Sequence, residues 1–274
     1  MKAIVLSSKG GVGKSTFSIH FLAPYLFAKT NTKSVFFMAD PVNKDGKIDT
    51  KFYQVSDSEF ALYNSNERFF TDFFLCQDSC LVDVGGNASA LKFLEELSSK
   101  SIMVDDDFVF FLPTDNDPNS CDNVVDTYRR IRTVFKNAKI IFVLTKIHNL
   151  KEYKDEYLYL LGDETGVCDF MPGLFDNANV PKNDRNCILI PYSSLFYIAN
   201  VYKKTISELA ELEQKFNEKY QKAKAEFAKT KEEEVDKQAK ILLNKIFFFS
   251  HCKDFRNNEL PKVFEQLDRL LEKK

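Results

Sequence analysis

"SSKGGVGKST", Ser7 to Thr16, decides how this chain is to be read. Three glycines and two lysines fall between Lys9 and Lys14, directly after the short apolar segment at residues 4–6. A strand-to-helix turn can be made with one glycine, so this run carries more charge and backbone freedom than folding requires. A loop that closes around phosphates needs inward-pointing backbone N–H groups, which glycines permit. It also needs a helix N-terminus behind it, a lysine for the terminal phosphates and a hydroxyl for Mg²⁺. Gly10, Gly11, Val12 and Gly13 supply the loop, Lys14 the cation, Ser15 the metal ligand and Thr16 a second hydroxyl. The ordinary pattern G-x-x-x-x-G-K-[ST] is not fully met, because Ser8 stands at its first glycine. The run fits K-G-G-x-G-K-[ST] instead, and reads as a nucleoside triphosphate site.

Outward from the loop, short apolar runs alternate with longer amphipathic stretches. Strands are predicted at 2–7, 34–39, 80–85, 107–112, 139–144 and 187–192, and helices near 14–28, 88–99, 119–136 and 151–161. Nearly continuous apolar character in the strands implies burial on both faces, so the fold class is α/β: a doubly wound, mostly parallel sheet flanked by helices. Pro24 inside the first helix predicts a kink or an early end. Past Gly173 the sequence contains no glycine, and 203–246 is dense in Lys, Glu, Ala and Leu with a helical stripe from Leu209 to Phe227. One or two long helices are expected there, then a turn near 256–261 and a last amphipathic helix over 261–272. The expected organisation is an ATPase domain over 1–205 and a helical extension over 206–274, its last helix packing on the ATPase domain.

The 274 residues carry 38 basic and 40 acidic side chains, which excludes a polycationic surface but not a local basic patch. Six cysteines include no CxxC pair and no histidine at metal-ligand spacing, so reduced thiols in a cytoplasmic protein are expected. No apolar run has membrane-spanning length, and the N-terminal apolar stretch is too short for a signal peptide. The 27 phenylalanines carry no functional signal.

In the K-G-G-x-G-K-[ST] motif the chain resembles the ParA/MinD family of P-loop ATPases, over about residues 1–205. The resemblance implies a homodimer that sandwiches two ATP molecules, with Lys9 reaching across to the partner's phosphates, so that ATP acts as a dimerisation switch. It implies a water-polarising acid at the end of the second strand, matched by Asp40 in "MADP" (38–41), with Met38 replacing the family's first acid. It also implies a Walker B acid closing another strand, matched by Asp83 in "CLVDVGG" (80–86), which holds Mg²⁺ directly or through water. Gly85 and Gly86 then let the following loop approach the γ-phosphate. Asp40 on its own also suits a turn before Pro41. His148 stands where related GTPases carry the aspartate that reads guanine, so ATP is the expected nucleotide, with Pro191 near the adenine.

Because Lys9 lies so close to the start of the sequence, no N-terminal helix-turn-helix is expected, and any DNA contact falls on the ATPase surface. From Thr127 to Lys151 there is no acidic residue, while Arg129, Arg130, Arg132 and Lys136 head a run of bases. Such a patch suits non-specific contact with phosphates. Equally, the bases complement Asp117, Asp122 and Asp126 at the other end of one helix dipole. The apolar face of the last helix (Leu260, Val263, Phe264, Leu267, Leu270, Leu271) is flanked by bases, including Lys273 and Lys274, balanced by acids, so membrane attachment is not expected. The expected function is a ParA-like ATPase that drives DNA partition or conjugative transfer, slow until a partner protein stimulates it. Its rivals are a MinD-like membrane-associated positioning ATPase, a metabolic enzyme of the same fold in which Lys9 is dispensable, and a module that binds nucleotide with little hydrolysis.

Overall fold

A computed structural model describes residues 1–40, 50–100, 108–164, 166 and 168–272 of the chain. The turn expected at Pro41, Asp107 at the head of a predicted strand, and Lys273 and Lys274 lie outside the described residues. The chain divides into two compact units, Met1–Ser193 with Glu265–Lys274, and Ser194–Phe264.

In the first unit, β1 (Lys2–Val5), β2 (Ser34–Ala39), β3 (Tyr53–Val55), β4 (Cys80–Val84), β5 (Phe108–Thr114), β6 (Lys139–Ile147) and β7 (Cys187–Pro191) form one sheet in the order β3-β2-β4-β1-β5-β6-β7. Every neighbouring pair is parallel, which makes this the doubly wound α/β architecture the alternating pattern predicts. β1 and β5 are buried almost throughout, as a sheet covered on both faces requires. The order turns around β1, flanked by β4 and β5. Chains leaving β1 in opposite directions open a crevice at its C-terminal end, and residues 7–16 sit there.

One face is covered by α1 (Lys14–Phe17), the five-residue π-turn Ser18–Leu22 and α2 (Ala23–Thr30). Of the kink or early end predicted at Pro24, the helix shows no end there. The wide turn, closed by Ala23 N–H on Ser18 O, shifts the hydrogen-bond ladder just ahead of the proline ring, and the helix runs on to Thr30. On the other face lie α3 (Glu67–Leu75), α4 (Ala88–Lys100) and α5 (Pro118–Val134). The phenylalanines are concentrated here: Phe69 meets Phe37, Phe60 and Phe93 within 5.4–6.3 Å, mostly edge to face. Where one helix is expected over 151–161, two single turns occur, α6 (Tyr153–Glu156) and α7 (Leu158–Leu161), followed by α8 (Leu174–Asn177).

The second unit is helical: α9 (Leu195–Tyr202), α10 (Ile206–Ala210), α11 (Leu212–Thr230), α12 (Glu233–Asn258) and the first turns of α13 (Leu260–Leu271). Thr205 and Glu208 start α10 with a capping box. Lys231 breaks α11 from α12 with a left-handed residue, φ +57°. Phe216 on Phe249 and Lys253 on Glu213, 2.7 Å, hold the base of the resulting hairpin. Within the first unit, the C-terminal part of α13 is pinned by Asp268, which accepts from Tyr25 Oη at 2.8 Å and pairs with Lys29. Gln266 accepts from Leu189 N at 2.9 Å, and Lys139 Nζ caps the carbonyls of Leu270 and Leu271. Leu260, Val263, Leu267 and Leu270 are buried.

Candidate nucleotide site

β1 ends at Val5 and α1 begins at Lys14, so residues 6–13 make the connection. Gly11 (φ +76°) and Gly13 (φ +86°) adopt left-handed conformations that an L side chain resists. Gly13 is also crowded, for a Cβ there would stand 3.3 Å from the Thr145 methyl. Thr145 Oγ1 lies 2.9 Å from Val12 O and 3.0 Å from Thr114 O, clamping the loop to the ends of β5 and β6. Lys14 is buried, and its ammonium donates to Lys9 O at 2.8 Å. Burial lowers its pKa, while the charges of Asp83 and Asp40 oppose that shift. The loop thus encloses a desolvated cation, which favours an arriving anion, beside two carboxylates, which favour one only together with a divalent cation.

Asp83, in the middle of the sheet on β4, is pushed up to about 6 by burial, against a hydrogen bond from Ser15 and the charge of Lys14; Asp40 adds to the rise. Its Oδ1 is buried and has no hydrogen-bond partner among the described residues. A buried carboxylate oxygen in that state invites a cation. Ser15 and Asp83 are hard oxygen donors of the kind Mg²⁺ takes beside phosphate oxygens, so the residues present fit that ion. Bound there, the ion would neutralise phosphate charge.

Asp40 follows β2, and the loop after β4 is built against it. Gly85 N–H donates to Ala39 O at 2.9 Å. A Cβ on Gly85 would stand 2.8 Å from Asp40 Cγ and 3.0 Å from Ser89 Oγ. A Cβ on Gly86 would stand 3.2 Å from Gly10 N, and Asn87 N–H donates to Ser8 O at 2.7 Å. Residues 85–87 therefore touch the phosphate loop and Asp40 at once. Met38 lies opposite Asp83 in the β2–β4 register, so an acid there would add like charge beside a carboxylate that is already destabilised.

Lys9 is half-buried, and among the described residues its ammonium has no hydrogen-bond or ion-pair partner. Thr16 is half-buried in α1. Pro191 closes β7 opposite Ile147, and beside it the rings of His148 and Tyr192 lie 4.9 Å apart. The basic run is divided by the fold. Arg132 forks onto Asp184 at 3.0 Å through Nε and Nη2, while Nη1 donates to the carbonyls of Lys136 and Ala138. Its guanidinium is half-buried and serves as a strut between α5 and Asp184. Arg129, Arg130 and Lys136 are exposed. Three residues that the sequence reading passed over shape the site: Thr145, the loop clamp; Tyr157, whose hydroxyl reaches Thr114 O and Thr145 O; and Ser89 beside Asp40. Their only signal is a polar residue at the end of an apolar strand or the start of a helix.

No protein-family profile and no curated protein sequence matches the chain. Among solved structures, the fold is similar to the MinD cell division protein of Aquifex aeolicus, with 14% identity over 75% of this chain and 88% of that one, TM-score 0.46. It is similar to an McdA–ATP complex of Cyanothece, with 12% identity, 76% and 89% coverage and TM-score 0.45. The cell division ATPase MinD of Pyrococcus furiosus gives 15% identity, 74% and 88% coverage and TM-score 0.42.

Proposed function

We propose that this chain is a ParA/MinD-type ATPase that binds Mg·ATP at residues 8–16 and hydrolyses it slowly. The observation that carries the reading is the meeting of Lys14, Ser15, Asp83 and Asp40 around a glycine loop whose N–H groups border a helix start, with Asp83 Oδ1 lacking a partner. Lys14 leaves Lys9 O to hold the terminal phosphates, and the amides of Gly10–Gly13 take the remaining oxygens. Ser15 and Asp83 hold the ion. Asp40 orients a water whose oxygen bonds to the γ-phosphorus as the β–γ bridging oxygen leaves with ADP. Because the 85–87 turn rests on both Asp40 and the phosphate loop, loss of the γ-phosphate changes what that turn rests on.

Lys9 completes the phosphate site of a second copy, making ATP the dimerisation signal. DNA is the proposed cargo, contacted through the exposed Arg129, Arg130 and Lys136, and a partner protein stimulates turnover. Equilibrium binding of a fluorescent ATP analogue, followed by single-turnover phosphate release, tests the core of this reading. Binding abolished by Lys14→Ala and phosphate released by the unmodified chain support it. Binding without release reduces the chain to a nucleotide-binding module, and no binding refutes the site.

A further inference from the structure

Four buried residues meet where the glycine loop touches the sheet: Val12 in the loop, Thr114 at the end of β5, Thr145 on β6 and Tyr157 between α6 and α7. Thr145 Oγ1 lies 2.9 Å from Val12 O and 3.0 Å from Thr114 O. Tyr157 Oη lies 3.0 Å from Thr114 O and 2.7 Å from Thr145 O. Each hydroxyl has one hydrogen to donate. Two hydrogens therefore face three carbonyl oxygens, and Thr114 O is within reach of both.

Where the Thr145 hydrogen goes matters to the loop. Among the described residues no other group donates to Val12 O. That oxygen shares a planar trans peptide with Gly13 N–H, so holding it on Thr145 aims the amide the opposite way. Gly13, at φ +86°, has no Cβ to resist rotation of this peptide. The bond from Thr145 supplies the restraint that the glycine lacks. Placed between Thr114 O and Thr145 O, the Tyr157 hydrogen serves the sheet side and leaves that of Thr145 for Val12 O. Without the tyrosine hydroxyl, Thr114 O and Val12 O compete for one hydrogen, and a buried carbonyl left unserved is costly. Burial raises the Tyr157 pKa, with Cys121 and Asp115 adding to the rise, so the hydrogen stays in place at neutral pH. The tyrosine is itself seated on the end of β6, for Glu156 beside it accepts from the N–H groups of His148 and Asn149 at 3.0 and 2.7 Å.

We propose that Tyr157 is a positioning residue of the nucleotide site: its hydroxyl serves the sheet carbonyls, commits the Thr145 hydroxyl to Val12 O and so fixes the Gly13 amide for a phosphate oxygen. The last clause rests on the ATPase reading; the hydroxyl relay does not.

Three measurements on the full chain test it: the carbon-13 carbonyl signal of Val12 without nucleotide, binding of a fluorescent ATP analogue, and the denaturant midpoint. Tyr157→Phe and Thr145→Val should each move the Val12 signal and weaken nucleotide binding about fivefold, the scale of one net hydrogen bond. Combined, they should weaken it no further than Thr145→Val alone, because the tyrosine acts only through that hydroxyl. Thr145→Ser keeps the hydroxyl and should bind within about twofold of the unmodified chain. A tyrosine that merely packs would lower the midpoint in both backgrounds and leave the Val12 signal in place. That result, or losses that add in the double variant, overturns the proposal. Should Tyr157→Phe not fold, Thr145→Val decides: a moved Val12 signal with weakened binding upholds the relay, and an unmoved signal overturns it. ATP binding unchanged in both single variants overturns the proposal and leaves the ATPase reading standing. A chain whose Val12 signal responds as expected but which binds no ATP refutes the ATPase reading and leaves the relay standing.

Discussion

At the scale of single residues, the site depends on what is missing as much as on what is present. Asp40 and Ser89 occupy the space where a side chain on Gly85 would be, so a methyl group there must push against a carboxylate 2.8 Å away. Gly85→Ala is therefore expected to displace Asp40 while leaving Lys14, Ser15 and Asp83 in place. ATP affinity should stay within about threefold and turnover should fall on the order of a hundredfold, the cost of misplacing a reacting group by about an ångström. Stopped-flow binding and phosphate release measure the two separately, and equal losses in both would show that Asp40 has no part in the chemistry. The glycine loop between β1 and α1 was legible because all of its residues lie within one decapeptide. Thr145 was not, since its contact with Val12 spans 133 positions and becomes visible only once β5 and β6 lie side by side.

Elements show the same division. The six predicted strands form because each is a continuous apolar run between polar breaks. β3, three residues at the sheet edge with only Tyr53 fully buried, leaves too short a pattern to stand out. α3 went unread for a different reason: in "ERFFTDFFL" the aromatic doublets suit strand and helix alike, and only the neighbouring rings decide. Those rings make the phenylalanine content a packing feature of one sheet face. Phe69→Ala should cost about 3–5 kcal/mol of unfolding free energy, read as a lower denaturant midpoint at unchanged slope; a loss under about 1 kcal/mol would mean that the face is loosely packed. α5 makes the second element-level case. Arg132→Ala should destabilise the chain by roughly 1–3 kcal/mol, because Asp184 and the carbonyls after α5 lose their donor. Neutralising Arg129, Arg130 and Lys136 together should leave stability unchanged, weaken a DNA mobility shift and flatten its salt dependence. An unchanged shift would remove DNA as the cargo.

At the scale of the whole molecule, the two decisive contacts are the one that fastens the C-terminal helix and the one that would join two copies. Asp268 is held below the ordinary carboxylate value of 3.8, first by Lys29 and then by Tyr25. A depressed folded-state pKa contributes stability above the ordinary value and loses it as pH falls through the lower one. The stability difference between the unmodified chain and Asp268→Asn should thus be constant above about pH 5 and shrink on acidification below 4, as measured by denaturant midpoints across pH; a difference that grows on acidification would reverse the assignment. Lys9 presents the opposite situation. Its backbone carbonyl steadies Lys14, but its own ammonium contributes nothing to the described fold. Removing that ammonium should leave the monomer's stability within about 0.5 kcal/mol, the range of surface changes, and ATP affinity nearly unchanged. A dimer assembled around shared phosphates would lose the cation that crosses between subunits. On gel filtration with Mg²⁺ and a non-hydrolysable ATP analogue, the unmodified chain should elute as a dimer and Lys9→Ala as a monomer. Lys9→Arg restores the charge with a longer, planar head and should recover the dimer in part. Dimers of equal population in Lys9→Ala would confine the second lysine to the loop's own folding and return the site to a single-chain ATPase.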